Sequence, residues 1–285
     1  VTVRAIRRDA HAKLNVFLRV IRRRADGYHE LESLVLPISL ADRVTVSPAD
    51  SLYVEVTGTK KLAGEVPAGG LNLALIAALA IADVCERATG ARIRIEKRIP
   101  VAAGLGGGSA DAAAAISALN ELWGCGLNDA TLADIGRRVG SDVPAMLAAR
   151  PVVMRGRGER TAPVAVAKLW WTLVAFDFGV RSPDAYRWWD EERAKRGPDP
   201  GALLSAAADG DVESLGPLLF NDLESPVFAR HPEIGRAKER LLEAGALGAV
   251  MSGSGSAVAA LVRDEAHAKA LAKAFPGAIV CSSPP

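Results

Sequence analysis

Between residues 12 and 21, Leu14, Val16, Leu18 and Val20 alternate with Lys13, Asn15, Phe17 and Arg19. A period of two predicts a strand with one face on a core. If the aliphatic face is the buried one, Lys13 and Asn15 look into a cleft or into solvent. A turn signal at Asp26-Gly27 follows, within Arg24-Ala-Asp-Gly-Tyr-His29, and the apolar run 31–40 predicts an antiparallel return. Shorter alternations predict strands at 43–46, 52–56 and 92–96. Helical composition then takes over at 71–88, at 110–123, and at 132–139, which Gly140 ends. A further helix starts near Ser141 or Asp142, with Pro144 tolerated in its first turn. Two short strands interrupted by Gly156 and Gly158 come next, then a strand at 170–176 and a polar helix at 184–196 that Gly197-Pro-Asp-Pro200 breaks. The remainder reads as helix 234–243, strands 249–251 and 257–262, helix 265–275 and strand 279–281. Strands and helices in mixed order argue for an α+β fold.

The chain has 285 residues, long enough for two domains, and the glycine-interrupted stretch 150–168 places the boundary near 160. The expected domains are 1–160 and 161–285. With 49% hydrophobic and 24% charged residues, the chain is not disordered. A net charge of +2 gives no electrostatic argument for nucleic acid. The longest apolar run, 71–84, is interrupted by Asn72 and Asp83, so no membrane span is expected. No apolar leader core follows Arg4, Arg7 and Arg8. Cys85, Cys125 and Cys281 are odd in number and form no C-x-x-C pair, which predicts reduced thiols, no zinc site and no disulfide. The expected compartment is the cytoplasm, with neither a nucleic acid nor a membrane as partner.

The strongest chemical signal is Pro100-Val101-Ala102-Ala103-Gly104-Leu105-Gly106-Gly107-Gly108-Ser109-Ala110, between a strand and an alanine-rich helix. Its glycines allow positive φ and close approach of a ligand to the backbone, and the free N–H groups of the following helix favour an anion. It is not a Walker A loop, because no lysine lies between Pro100 and Ala110. Nor is it a dinucleotide turn, because Ser109 stands where G-x-G-x-x-G needs its last glycine.

Pro-x-x-x-Gly-Leu-Gly-Gly-Gly-Ser-Ala resembles the phosphate loop of the GHMP kinases, small-molecule kinases named for galactose, homoserine, mevalonate and phosphomevalonate. Ala12-Lys13-Leu14-Asn15 resembles that family's first motif, and Met251-Ser-Gly-Ser-Gly-Ser256 its third. Three motifs in order span most of the chain. Arg24-Ala-Asp-Gly-Tyr-His29, Lys97-Arg-Ile-Pro100 and Gly140-Ser-Asp-Val-Pro144 are similar to signatures of the branch acting on a cytidyl diphosphate sugar alcohol. The resemblance implies a two-domain kinase with its active site in the inter-domain cleft. It would move the γ-phosphate of ATP, with Mg²⁺, to the acceptor's 2-hydroxyl in the non-mevalonate (methylerythritol phosphate) route to isoprenoid precursors. A homoserine or mevalonate kinase is the alternative within the family, but neither acceptor carries a base for the Tyr28-His29 loop. A non-catalytic nucleotide binder would need neither Lys13 nor Asp142.

The same resemblance implies the roles. Asp142 would be the base that accepts the hydroxyl proton, and Lys13, beside the reacting hydroxyl, would stabilise the developing alkoxide. Residues 100–110 would hold ATP, with Asn72 and Lys97 near the adenine. Asn15, Tyr28, His29, Asp142 and Tyr186 would bind the acceptor, His29 at the cytosine edge and the two tyrosines against its faces. Ser109 is the nearest candidate metal ligand; no carboxylate ligand is identified, and the oligomeric state is not implied. Without the family, the plainer readings are an N-cap for Asp142, a helix-start polar residue for Asn72, a solvated strand end for Lys97 and a turn histidine for His29. Ala102 and Ala103 stand where the family often has glycine.

Overall fold

The computed structural model describes residues 5–58, 66, 69–192 and 197–284. The alternating N-terminal segment forms β1 (Ile6–Arg23) and its return forms β2 (His29–Pro48), which also takes in the strand expected at 43–46. Both are too long to serve one core. By contacts, the chain divides into a first unit of residues 1–12, 40–101 and 106–149, and a second of 13–39, 102–105 and 150–285. The expected single cut near 160 is therefore replaced by an interleaved division. The reason is that β1 and β2 each supply residues to both units.

In the first unit, the C-terminal half of β2 pairs antiparallel with β4 (Ala91–Glu96), which pairs parallel with β3 (Tyr53–Thr57). Val44, Val46, Ile93 and Ile95 alternate along these strands and share a core with four helices: α1 (Leu73–Ala82), α2 (Gly107–Leu122), α3 (Asp129–Val139) and α4 (Val143–Ala148). Helix α2 buries Ala110, Ala112, Ala113, Ala114, Ala115 and Ala118, side chains small enough for neighbouring backbones to come close. Asn128 starts α3 by accepting from Thr131 N–H at 2.9 Å.

Cys85 and Cys125, expected as separate reduced thiols, form a disulfide with Cα atoms 5.5 Å apart. They follow α1 and α2, and the packing of those helices brings together ends that are 40 residues apart in sequence. Spacing alone carries no sign of that meeting. Cys281 is free and buried, and burial pushes its thiol up to about 12.

In the second unit, the N-terminal half of β2 pairs with β5 (Val152–Gly156), which pairs with β6 (Arg160–Pro163), both antiparallel. A separate antiparallel sheet has the order β11 (Ile279–Ser283), β7 (Leu169–Val174), β10 (Val258–Val262) and β9 (Gly248–Met251). Trp171 is fully buried on β7 and donates its indole N–H to Ser283 Oγ at 2.9 Å, whereas Trp170 is half-buried under Lys168. That is the opposite-face arrangement of neighbours in a strand.

Helix α5 (Ser182–Glu192) covers the described part of the polar helix expected at 184–196; residues 193–196 lie outside the described residues. Three helices without a clear periodic signature follow: α6 (Gly201–Asp209), α7 (Val212–Leu215) and, after the short β8 (Phe220–Asn221), α8 (Glu224–Arg230). Strand β8 pairs parallel with β1 at Phe17 and Leu18. The expected helices near the end of the chain are α9 (Pro232–Glu243) and α10 (Glu265–Ala272).

Candidate active site

After β4 the chain runs through Lys97-Arg-Ile-Pro100 and a turn into α2. Gly104 and Gly106 take φ values of 76° and 68°, in the region that favours glycine. Gly106 precedes α2, and no side chain caps the helix there. The first N–H groups of α2, at Gly107, Gly108 and Ser109, have no acceptor within the helix and lie at its positive end. An anion is the natural complement. A Cβ on Gly107 would lie 3.2 Å from Ile99 Cγ2 and 3.4 Å from Lys97 Nζ, so the helix start packs closely on the strand end.

Lys97 is not a solvated strand end. Its ammonium is buried between Asp42 and Asp111, with Asp111 Oδ2 at 2.8 Å. Burial alone would pull the lysine pKa down, but the two carboxylates outweigh it and the net direction is up. Asp42 also accepts the backbone N–H groups of Arg98 at 2.5 Å and Ile99 at 2.9 Å, which fixes the run into the glycine loop. Burial first, then repulsion from Asp42, pushes the Asp111 carboxyl up to about 7 against the opposing pull of Lys97. Asn72 caps α1, accepting from Ala74 N–H at 2.9 Å. The side-chain groups of both residues expected near the adenine are thus engaged within the protein.

The second unit holds the other two motifs. Lys13 Nζ donates to Asn15 Oδ1 at 2.5 Å and to the Gly104 carbonyl at 2.6 Å, and Asn15 Nδ2 donates to Ser33 Oγ at 2.8 Å. The face of β1 that carries them is buried, as is the aliphatic face. Asn15 therefore holds Lys13 in place through one end of its amide and β2 through the other. The segment 102–105 is tied to its surroundings by Lys13 N–H on Leu105 O (2.9 Å), Ala257 N–H on Ala103 O (3.0 Å) and Ser252 Oγ on Gly104 O (3.0 Å). Ala102 sits at φ 55°, a region alanine rarely occupies, and a Cβ on Gly179 would fall 2.3 Å from its own Cβ.

The loop ending at His29 leads to a ring cluster in the same unit. His29 stacks on Tyr186 with centroids 4.8 Å apart and planes at 19°, and Trp189 meets it edge-on at 5.9 Å. Its Nε2 lies 2.9 Å from Asp190 Oδ1. Tyr28 is 57% exposed, with the Arg157 guanidinium 4.8 Å over its ring. His29 and Tyr186 are thus in direct contact, and one face of the tyrosine ring expected against the base is taken by the imidazole.

Asp142 occupies the N-cap position of α4 but makes no capping hydrogen bond. Among the described residues its carboxylate has no hydrogen-bond or ion-pair partner, so the plain structural reason for an acid at this place does not hold. Such a group is available to take a proton. The Ser109 hydroxyl is likewise without a hydrogen bond among the described residues.

Four polar residues at these places have no motif to mark them. Asp42 is a lone acid near the middle of a strand, and Asp111 lies just past the glycine run. Asp190 stands four residues after Tyr186, the one hint of a shared helix face. Asn221 on β8 donates to the carbonyls of Met251 at 2.8 Å and Gly253 at 2.7 Å, fixing the third glycine loop.

The chain is similar to known proteins along most of its length. Profiles described as the GHMP kinases N terminal domain and the GHMP kinases C terminal match residues 72–150 and 203–279. A 4-diphosphocytidyl-2-C-methyl-D-erythritol kinase of Symbiobacterium thermophilum is 46% identical over 90% of each chain. One of Gloeobacter violaceus is 38% identical over 96% of this chain and 91% of its own. A crystal structure of 4-(cytidine 5'-diphospho)-2C-methyl-D-erythritol kinase superposes with a TM-score of 0.83 at 37% identity, covering 98% of this chain and 99% of that one. A homoserine kinase from Cytophaga hutchinsonii, 20% identical with a TM-score of 0.73 over 99% and 95% of the two chains, shares the fold.

Proposed function

The chain belongs to the GHMP kinases and is an ATP-using small-molecule kinase, and from that premise we propose that its acceptor is 4-diphosphocytidyl-2-C-methyl-D-erythritol. What carries the reading is the whole-length similarity, 46% and 38% identical, to relatives of that one name. The His29–Tyr186 stack supports it, since an aromatic and hydrogen-bonding surface suits a nucleobase, which homoserine and mevalonate lack.

In this reading the acceptor's 2-hydroxyl oxygen attacks the γ-phosphorus of ATP. The bond from that phosphorus to the β–γ bridging oxygen breaks, ADP leaves, and the hydroxyl proton passes to Asp142. The product is the 2-phosphate, which belongs to the methylerythritol phosphate route to isoprenoid precursors. Lys13, held on the Gly104 carbonyl, stabilises the charge that develops on the hydroxyl oxygen. The N–H groups that open α2 hold the phosphates, so the protein's main contribution is position and charge.

Mg²⁺ belongs to the same reading. Among the described residues no group of three His, Cys, Asp or Glu side chains could hold a metal ion. Mg²⁺ commonly rests on substrate phosphates with one or two protein oxygens, and the Ser109 hydroxyl fits that smaller role. When bound it would neutralise charge on the transferred phosphoryl group. A cytoplasmic site of action is also part of the proposal. Among the described residues no helix is long and apolar enough to cross a membrane. The Cys85–Cys125 disulfide points the other way, being uncommon in a reducing compartment.

ADP release measured with the cytidyl acceptor, mevalonate and homoserine in parallel tests the substrate. Turnover of the cytidyl compound alone is expected; turnover of either other acceptor at a comparable rate would overturn the assignment. Asp142→Asn is expected to lower kcat on the order of 10²–10⁴-fold with ATP binding retained.

A further inference from the structure

His29 is held from three sides by one helix. Tyr186, Trp189 and Asp190 all lie on α5, and Tyr186 and Asp190, four residues apart, share a helix face. The first stacks on the imidazole and the last takes its Nε2 at 2.9 Å. The other carboxylate oxygen of Asp190 faces Arg23 Nη1 at 3.6 Å. The imidazole is 8% exposed, so its orientation is set by protein contacts and not by solvent.

An ionised carboxylate only accepts hydrogen bonds, so the proton in this pair sits on Nε2. In a neutral imidazole the remaining nitrogen, Nδ1, is then an acceptor, because the bond made by one nitrogen fixes the state of the other. Among the described residues Nδ1 has no hydrogen-bond partner.

We propose that Asp190 sets the base preference of this kinase by holding His29 in the Nε2–H form, which leaves Nδ1 to accept from the exocyclic amine of cytosine. The inference rests on the cytidyl reading of the acceptor and adds to it a residue that touches neither substrate. A uridine acceptor presents a carbonyl where cytosine presents the amine. Two acceptors then face each other, and a site built for one hydrogen-bond pattern rejects the other. Asp190 is a positioning residue in this scheme and acts only through the imidazole.

Two measurements near pH 8 on the intact chain test it. Nitrogen NMR of ¹⁵N-histidine-labelled protein should show His29 with its proton on Nε2; a proton on Nδ1 would overturn the proposal without any variant. Steady-state kinetics then compare the cytidyl acceptor with its uracil analogue. Asp190→Asn can also donate to Nε2 and so releases the tautomer. It should reduce the cytidyl-over-uridyl ratio of kcat/KM about tenfold, through a KM for the cytidyl compound that rises more than kcat falls, with KM for ATP unchanged. A purely structural role for Asp190 would weaken both acceptors alike, and an unchanged ratio would therefore overturn base selection. Should the wild-type chain use both acceptors equally well, base selection alone fails. Turnover of neither would overturn the cytidyl reading beneath it.

Discussion

From Lys97 to Ser109 the elements expected to hold phosphate are consecutive in the chain, whereas the ring cluster joins His29 of β2 to Asp190 of α5 across 161 residues. The first region works through its backbone: positive φ at Gly104 and Gly106, an uncapped helix start, and a strand end fixed by Asp42. Its side chains are mostly absent or turned inward. The second works through side chains alone, with a stack, an edge contact and one ionic hydrogen bond. A backbone site fails when shape is altered, and a side-chain site fails one contact at a time. The two should therefore respond to substitution on different scales.

The largest effect is expected at Gly104. A Cβ there would stand 2.0 Å from the Ser252 carbonyl oxygen at a φ of 76°, so Gly104→Ala combines strain with overlap against backbone. Thermal or denaturant unfolding should show a loss of roughly 2–5 kcal/mol. Stability within about 0.5 kcal/mol of wild type would mean that the loop yields more easily than its contacts imply. In the ring cluster, His29→Ala removes one hydrogen bond and one stacking surface. KM for the cytidyl acceptor should rise about tenfold while ATP affinity stays the same. An equal rise for ATP would break the separation between the two regions.

The smallest effect concerns Asp111, whose carboxyl is pushed up to about 7. With the folded value above the unfolded one, the native chain keeps a proton that the unfolded chain releases. Stability from this group is then fully present below about pH 4 and is lost as pH rises toward about 7. Asp111→Asn cannot ionise, so its melting temperature relative to wild type should climb between about pH 4 and 7 and level off above. A difference that stays flat across that window would show that Asp111 is ionised throughout.

Much of the fold was legible because each element carried its own period or its own breaker. The strands at 92–96 and 257–262 and the helix at 132–139 were expected within a few residues of β4, β10 and α3. Helices α6, α7 and α8 carry no helical period in the sequence, because α6 is apolar along most of its length and α7 and α8 span only four and seven residues. The contiguous loop at 100–110 was readable, since glycine and serine in a row have a direct meaning for backbone shape. The burial of Lys97 was not legible because its partners, Asp42 and Asp111, lie 55 and 14 residues away. Asp190 was passed over for the same reason: a carboxylate on a polar helix gives no sign of the ring it holds. Lys13 and Asn15 were expected to face a cleft or solvent, yet that face of β1 is buried as well, with Lys13 on the Gly104 carbonyl and Asn15 on Ser33.

The Cys85–Cys125 bond closes a covalent ring around β4, the glycine loop and α2. A protease that cuts the chain once anywhere inside that ring does not release a fragment. The nicked protein would migrate as a single full-length species until a thiol reductant is added, and only then separate into two. Any survey of the accessibility of the glycine loop by limited digestion must therefore be read after reduction, or cleavage within that loop will pass as no cleavage at all.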